Sequence, residues 1–155
     1  MPDRLSGTNP PVGRTLYSKA VLVDTGAFLA LANPRESNHR YALECLQAIA
    51  KHRLPVFVSI PTIYESHRRV LFDFGRPAAS KFLQEIFDGS VTIVRTVDED
   101  EREARRLLGR YKDLNLTLTD AANMAIMMRF GIAASFSFDI HYLQAGFIRI
   151  PPFHL

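Results

Sequence analysis

The chain has 155 residues, which fits one domain and leaves little room for two. Hydrophobic residues make up 47% and charged residues 23%, a globular balance that excludes a disordered chain. The net charge is +3, and the basic residues are uneven: fifteen Arg against four Lys. The planar donor fork of Arg matches phosphate oxygens, so the bias leans toward a phosphate-bearing partner, unless it only reflects genome composition. The single cysteine, Cys45, excludes an intramolecular disulfide and a cysteine-based zinc site, and it reads as a small buried hydrophobe. Residues 1–18 are polar, carry Pro10, Pro11 and Gly13, and read as a flexible N-terminal arm without a signal peptide. Apolar stretches such as Ala27 to Ala32 are too short to span a bilayer. A soluble cytoplasmic protein with no membrane partner is expected.

In chain order, Ala20-Val21-Leu22-Val23 is a short apolar run that ends at Asp24 and suits a buried strand. Thr25-Gly26 reads as a turn, and Ala27 to Ala32 as a short helix stopped by Asn33-Pro34. A helix over Ser37 to His52 would bury Leu43, Leu46, Ile49 and Ala50 on one face. Pro55 to Val58 is a second strand. Ile60-Pro61-Thr62 opens a helix with Ile63, Val70, Leu71 and Phe74 at apolar positions, ended by Gly75. Pro77 opens another helix through Phe87, Asp88-Gly89 turns, and Val91 to Val94 is a third strand. Asp98 caps a helix whose first turn is acidic and whose later turns carry Arg102, Arg105, Arg106 and Arg110, an order that suits the helix dipole. Thr119-Asp120 opens a helix to Met128, ended by Phe130-Gly131. Ala133 to Phe138 is a fourth strand, His141 to Ala145 a single helical turn, and Phe147 to Ile150 a last strand before Pro151-Pro152. Short strands alternating with helices predict an α/β domain: a mainly parallel central sheet with helices on both faces.

In such sheets the ligand lies beyond the carboxyl ends of the strands. Four acids fall there: Asp24 and Asp139 at strand ends, Glu65 and Asp120 in first turns of helices. Taken singly, Asp120 and Asp139 also fit helix caps, and Glu65 fits a favourable dipole position. Asp24 is harder to dismiss, because it follows a core strand directly. Clustered carboxylates repel one another unless a cation neutralises them, and an oxygen-rich site suits Mg²⁺ or Mn²⁺. A metal-activated water could then attack a phosphodiester.

Four segments carry a resemblance: Val21-Leu22-Val23-Asp24-Thr25-Gly26-Ala27, Ile60-Pro61-Thr62-Ile63-Tyr64-Glu65, Leu116-Thr117-Leu118-Thr119-Asp120-Ala121, and Ser137-Phe138-Asp139-Ile140-His141-Tyr142 through Gly146-Phe147. In order and spacing they resemble the motifs of PIN-domain nucleases, notably the VapC-type toxins, over residues 19–150. The resemblance implies a PIN-like fold over residues 19–155 and a metal-dependent endoribonuclease, the toxin of a toxin–antitoxin pair. Its catalytic and metal-binding acids would be Asp24, Glu65, Asp120 and Asp139, with Mg²⁺ or Mn²⁺ as cofactor. RNA would be the substrate, a cognate antitoxin protein and a second copy of the chain the partners. Asp24 and Asp120 are expected nearest the metal, Glu65 and Asp139 to act through water, and Ser137 to support the cluster. Gly26 and Ser137 depart from the family, which often has a serine and a threonine there.

Further expectations are looser. Arg68, Arg69 and Arg76 could contact RNA phosphates, or form a solvated helix face. His141 could carry protons, or simply cap or pack. Tyr111 and Tyr142 could stack on bases. Two rival functions differ in class: a non-catalytic PIN-like RNA-binding or interaction module, and an aspartic protease suggested by Asp24-Thr25-Gly26-Ala27. The helical pattern after Asp24 and the lack of a glycine-rich hairpin weigh against the protease. A phosphoacceptor receiver domain would want a late Lys, and none follows Lys112.

Overall fold

The computed structural model describes residues 19–150. The arm read over residues 1–18 and the prolines Pro151-Pro152 lie outside the described residues. Five strands and seven helices follow in order. They are β1 (Val21–Val23), α1 (Thr25–Ala32), α2 (His39–Lys51), β2 (Val56–Ser59), α3 (Ile60–Phe74), α4 (Arg76–Asp88), β3 (Thr92–Val94), α5 (Asp98–Arg110), α6 (Leu118–Phe130), β4 (Ala134–Phe136), α7 (His141–Gln144) and β5 (Ile148–Ile150).

The strands form one sheet in the order β3-β2-β1-β4-β5, and every neighbouring pair is parallel. The expected α/β class holds, and the parallel sheet explains why β1 is apolar at every position. Side chains alternate across a strand, so Val21 and Val23 pack with α1 and α2 while Leu22 packs with α5 and α6. On β2, Phe57 joins the α5–α6 side and Val58 joins Ile63 and Ile86 of α3 and α4. The chain thus winds outward on one face through β2 and β3, then crosses under the other face to place β4 beside β1. That reversal leaves a crevice between the carboxyl ends of β1 and β4.

Several local readings need correction. Thr25 is already helical, so no turn separates Asp24 from α1. Helix α2 buries Ala42, Cys45 and Ile49, while Leu43 and Leu46 are exposed; the true stripe is offset by one residue and built from smaller side chains. Phe74 is likewise exposed near the end of α3. Asp98 is the first residue of α5 rather than its cap, and Asp100 does the capping, accepting from the Val97 N–H at 3.0 Å. Helix α6 begins and ends further out than Thr119 and Met128 and closes on Gly131 in the left-handed region (φ 70°), with Ile132 N–H bonding back to Met127 O at 2.9 Å.

Asp100 also pairs α5 with α6. Its carboxylate is buried and accepts two bonds from Arg129 Nε, at 2.9 and 3.1 Å, and one from Nη2, at 2.8 Å. Asp100→Ala removes the helix cap and leaves Arg129 without its carboxylate. It is expected to lower stability by about 2–3 kcal/mol in urea unfolding, whereas Glu99→Ala on the exposed face should change it by less than about 0.5 kcal/mol.

Candidate metal centre

The acids meet at the crevice. Asp24 directly follows β1, and its N–H donates to Phe136 O at 3.0 Å, which fixes it against β4. Asp120 is the third residue of α6, and Asp139 lies in the turn between β4 and α7.

Each acid also satisfies local backbone. Thr117 and Asp120 form a reciprocal capping box: Asp120 N–H donates to Thr117 Oγ1 at 3.1 Å, and Thr117 N–H donates to Asp120 Oδ2 at 3.0 Å. Asp139 Oδ1 accepts from the His141 N–H at 2.8 Å, and Asp139 N–H donates to Ser137 Oγ at 2.9 Å. The capping readings of Asp120 and Asp139 are therefore correct, and they are compatible with a site. One oxygen of each holds the backbone, and that fixes where the other can lie.

Asp24 is the deepest of the three, 5% exposed. Ser137 Oγ donates to its Oδ2 at 3.1 Å and Tyr142 Oη donates to its Oδ1 at 3.2 Å. Behind Tyr142 runs a buried polar chain. Asn123 Nδ2 donates to Tyr142 Oη at 3.0 Å and to Thr62 Oγ1 at 2.9 Å, and Ser59 Oγ donates to Asn123 Oδ1 at 2.5 Å. Ser59 also caps α3, accepting from Thr62 N–H at 3.2 Å.

Burial raises the Asp24 carboxyl to about 7, and the charge of Asp120 adds to the rise; the Thr25 N–H and the Ser137 hydroxyl oppose it. Burial also raises the Asp120 carboxyl, the neighbouring charge of Asp139 adds to that rise, and its own cap bonds to Thr117 work against it. The Tyr142 phenol is pushed well above its ordinary value, chiefly by burial and then by the charges of Asp24 and Asp120, so it stays a donor. The cluster has the electrostatics of a site short of positive charge.

The tightest group of possible ligands is Asp120, Asp139 and His141, whose ligating atoms lie within 4.8 Å of one another. Asp24 couples electrostatically to Asp120 and Asp139 from behind. Glu65 is partly buried on α3 and makes no hydrogen bond or ion pair among the described residues; it stands apart from this group. Asp120 and Asp139 thus share a group with His141, and Asp24 lies within their electrostatic reach.

Of the arginines expected near RNA, Arg68 lies over the Phe72 ring at 5.6 Å, Arg69 is 3.8 Å from Asp73, and Arg76 opens α4 beyond the Gly75 break. None of them contacts the acids. Tyr111 and Tyr142 are buried at 6% and 0% exposure, so neither can stack on a base. Tyr142 instead orients Asp24. Sequence reasoning missed Asn123, although the signal was present: it is the one polar residue between Asp120 and Arg129 in an apolar helix. Between α5 and the start of α6, a cavity of about 450 Å³ is lined by Arg102 and Arg105 but also by Asp98 and Glu101, with Pro61 and Thr119. A Cβ at Gly26 would meet nothing within 4 Å, so the serine common in the family would fit there.

Residues 21–148 match the family model of the PIN domain. The chain belongs to the PIN domain family. This PIN domain is 24% identical over 125 residues to ribonuclease VapC26 of Mycobacterium tuberculosis, covering 81% of this chain and 90% of that one. Its fold matches the crystal structure of M. tuberculosis VapC20, a sarcin–ricin loop cleaving toxin, with a TM-score of 0.76 at 23% identity, covering 86% of this chain and all of the other. A toxin–antitoxin complex from Klebsiella pneumoniae matches with a TM-score of 0.64 at 17% identity, over 88% of this chain and 100% of that one. The protease reading fails on the fold: Asp24-Thr25-Gly26-Ala27 joins a parallel strand to a helix, in a sheet without a hairpin among the described residues. No helix among the described residues is long and apolar enough to cross a membrane.

The raised carboxyls set a pH dependence. Asp24 and Asp120 bind protons more tightly folded than unfolded; the contribution of Asp24 to stability is full below about pH 4 and is lost as pH rises through about 7, and that of Asp120 changes in the same direction. In chelator, Tm is expected to fall from about pH 5 to about pH 8, and to fall less in Asp24→Asn. Added Mg²⁺ or Mn²⁺ should raise Tm more at the higher pH. Equal pH slopes for the two proteins would remove the acid cluster as the cause. Tyr142→Phe deletes a donor from Asp24 and a partner from Asn123, and is expected to cost about 1–2 kcal/mol in urea unfolding while keeping the fold.

Proposed function

We propose that this PIN domain is a metal-dependent endoribonuclease, the toxin of a toxin–antitoxin pair, hydrolysing RNA phosphodiester bonds. The observation that carries the reading is the convergence of Asp24, Asp120 and Asp139 at the strand-end crevice, with Asp24 raised to about 7 by burial and by its neighbours' charge. An all-oxygen acid cluster with unmet charge fits Mg²⁺ or Mn²⁺. A divalent cation there supplies activation of a water and neutralisation of charge on the phosphate.

The chain's own residues divide the remaining work. Asp120 and Asp139 present carboxylate oxygens at the crevice. Asp24, held by Ser137 and Tyr142, completes the negative wall behind them. Glu65 takes part through water from α3, which accounts for its lack of direct contacts. Arg68, Arg69 and Arg76 offer positive charge to the RNA backbone. The proposal includes a cognate antitoxin protein and a homodimer as partners, and a cytoplasmic location. The apolar groove of about 480 Å³ between α1, α3 and α4, lined by Phe28, Leu31, Phe74 and Phe82, is a suitable surface for a protein partner.

The test is cleavage of varied RNAs with Mg²⁺ or Mn²⁺. Wild type should cut, chelator should abolish cutting, and Asp24→Asn or Asp120→Asn should lose more than the about 10- to 100-fold that removal of an outer-shell partner costs. A wild type as inert as its variants across RNAs and metals would favour the non-catalytic module instead.

A further inference from the structure

We propose that His141 is a nitrogen ligand of the metal centre and that it tilts the site toward Mn²⁺ over Mg²⁺. The proposal rests on the metal-dependent reading above and goes beyond it, because carboxylates alone serve both ions.

His141 follows Asp139 by two residues, so the turn that presents the acid also presents the imidazole. The backbone and the ring do separate things. The His141 N–H donates to Asp139 Oδ1 at 2.8 Å. The ring Nδ1 points into the cluster, 3.0 Å from Asp139 Oδ1 and 4.0 Å from Asp120 Oδ2. Despite that proximity, Nδ1 is buried and makes no aligned hydrogen bond. The nitrogen is thus at ion-pair distance from Asp139 while its hydrogen-bonding capacity meets no aligned partner. A buried nitrogen beside two carboxylate oxygens has the composition of a mixed nitrogen–oxygen ligand set. Imidazole favours first-row transition ions, whereas Mg²⁺ takes oxygen ligands and gives up its waters reluctantly. Adding a ring nitrogen to Asp120 and Asp139 therefore strengthens Mn²⁺ binding more than Mg²⁺ binding.

The experiment compares the full-length protein with His141→Gln, which keeps the backbone N–H that caps Asp139. Calorimetry measures the affinity for each ion alone, and pulsed EPR of the Mn²⁺-loaded protein detects nitrogen coupled to the metal. Wild type should show nitrogen coupling that the variant lacks. The variant's Mn²⁺ affinity should fall about tenfold or more, with a smaller loss for Mg²⁺. Unchanged Tm in chelator would show that the variant is folded; if it is not, the wild-type EPR signal decides alone. Mn²⁺ bound without nitrogen coupling overturns the assignment of His141 and leaves the metal centre standing. So does a variant that loses RNA cleavage with its Mn²⁺ affinity intact, because the ring would then act on protons rather than on the ion. Equal losses for both ions overturn the selectivity. A wild type that binds neither ion overturns the metal reading itself, and this proposal with it.

Discussion

Three carboxylates share one poorly solvated crevice, and the arrangement around them follows from that. Each would repel its neighbours, and Asp24 in particular would sooner hold a proton than a charge near neutral pH. The fold answers with directed donors: the N–H of Thr25, the hydroxyl of Ser137, the phenol of Tyr142 and the cap bonds of Thr117. These bonds hold the acids in place without cancelling their charge. What is left over is negative charge that a cation would offset. The parallel sheet makes this possible, since its reversal of direction opens a gap beside β1 where backbone does not fill the space.

The polar chain from Asp24 through Tyr142 and Asn123 to Ser59 and Thr62 ties four segments together: the ends of β1 and β2, the middle of α6 and the start of α7. Beyond Asp24, each member is buried and neutral, so the chain adds no further cost of burying ions. It also joins the deep acid to the first turn of α3, three residues from Glu65. The acid that stands apart is thereby kept in register with those that meet, even without a direct contact.

The fold class and the acids at the strand ends were legible because both follow from local sequence. A four-residue apolar run ending in Asp announces a buried strand and its carboxyl end together. Helix boundaries at Gly75 and Gly131 were legible for the same reason. The offset of the α2 stripe was not, because Leu43 and Leu46 are larger than the Ala42 and Cys45 that in fact face the sheet. Hydrophobicity alone ranks the leucines first, while the cluster with α1 and β1 takes in Ala42 and Cys45. Tyr142 misled in a similar way: an aromatic beside an active acid looks like a stacking platform until the packing of α7 shows it entirely buried. The meeting of His141 with Asp120 and Asp139 was beyond reach, since sequence gives the edge of the sheet but not the spacing of side chains along it.

Helix α6 is buried from Asp120 to Met127, on nearly every side. A rod enclosed this way can neither slide nor roll without disturbing both core and crevice, so Asp120 is delivered at a fixed point. Asp139 and His141 sit instead on a turn leading into a four-residue helix, with solvent on one side. The acid cluster therefore has one enclosed support and one support that faces solvent. Were the proposed ion bound, accommodation of its radius would fall to the β4–α7 turn rather than to α6.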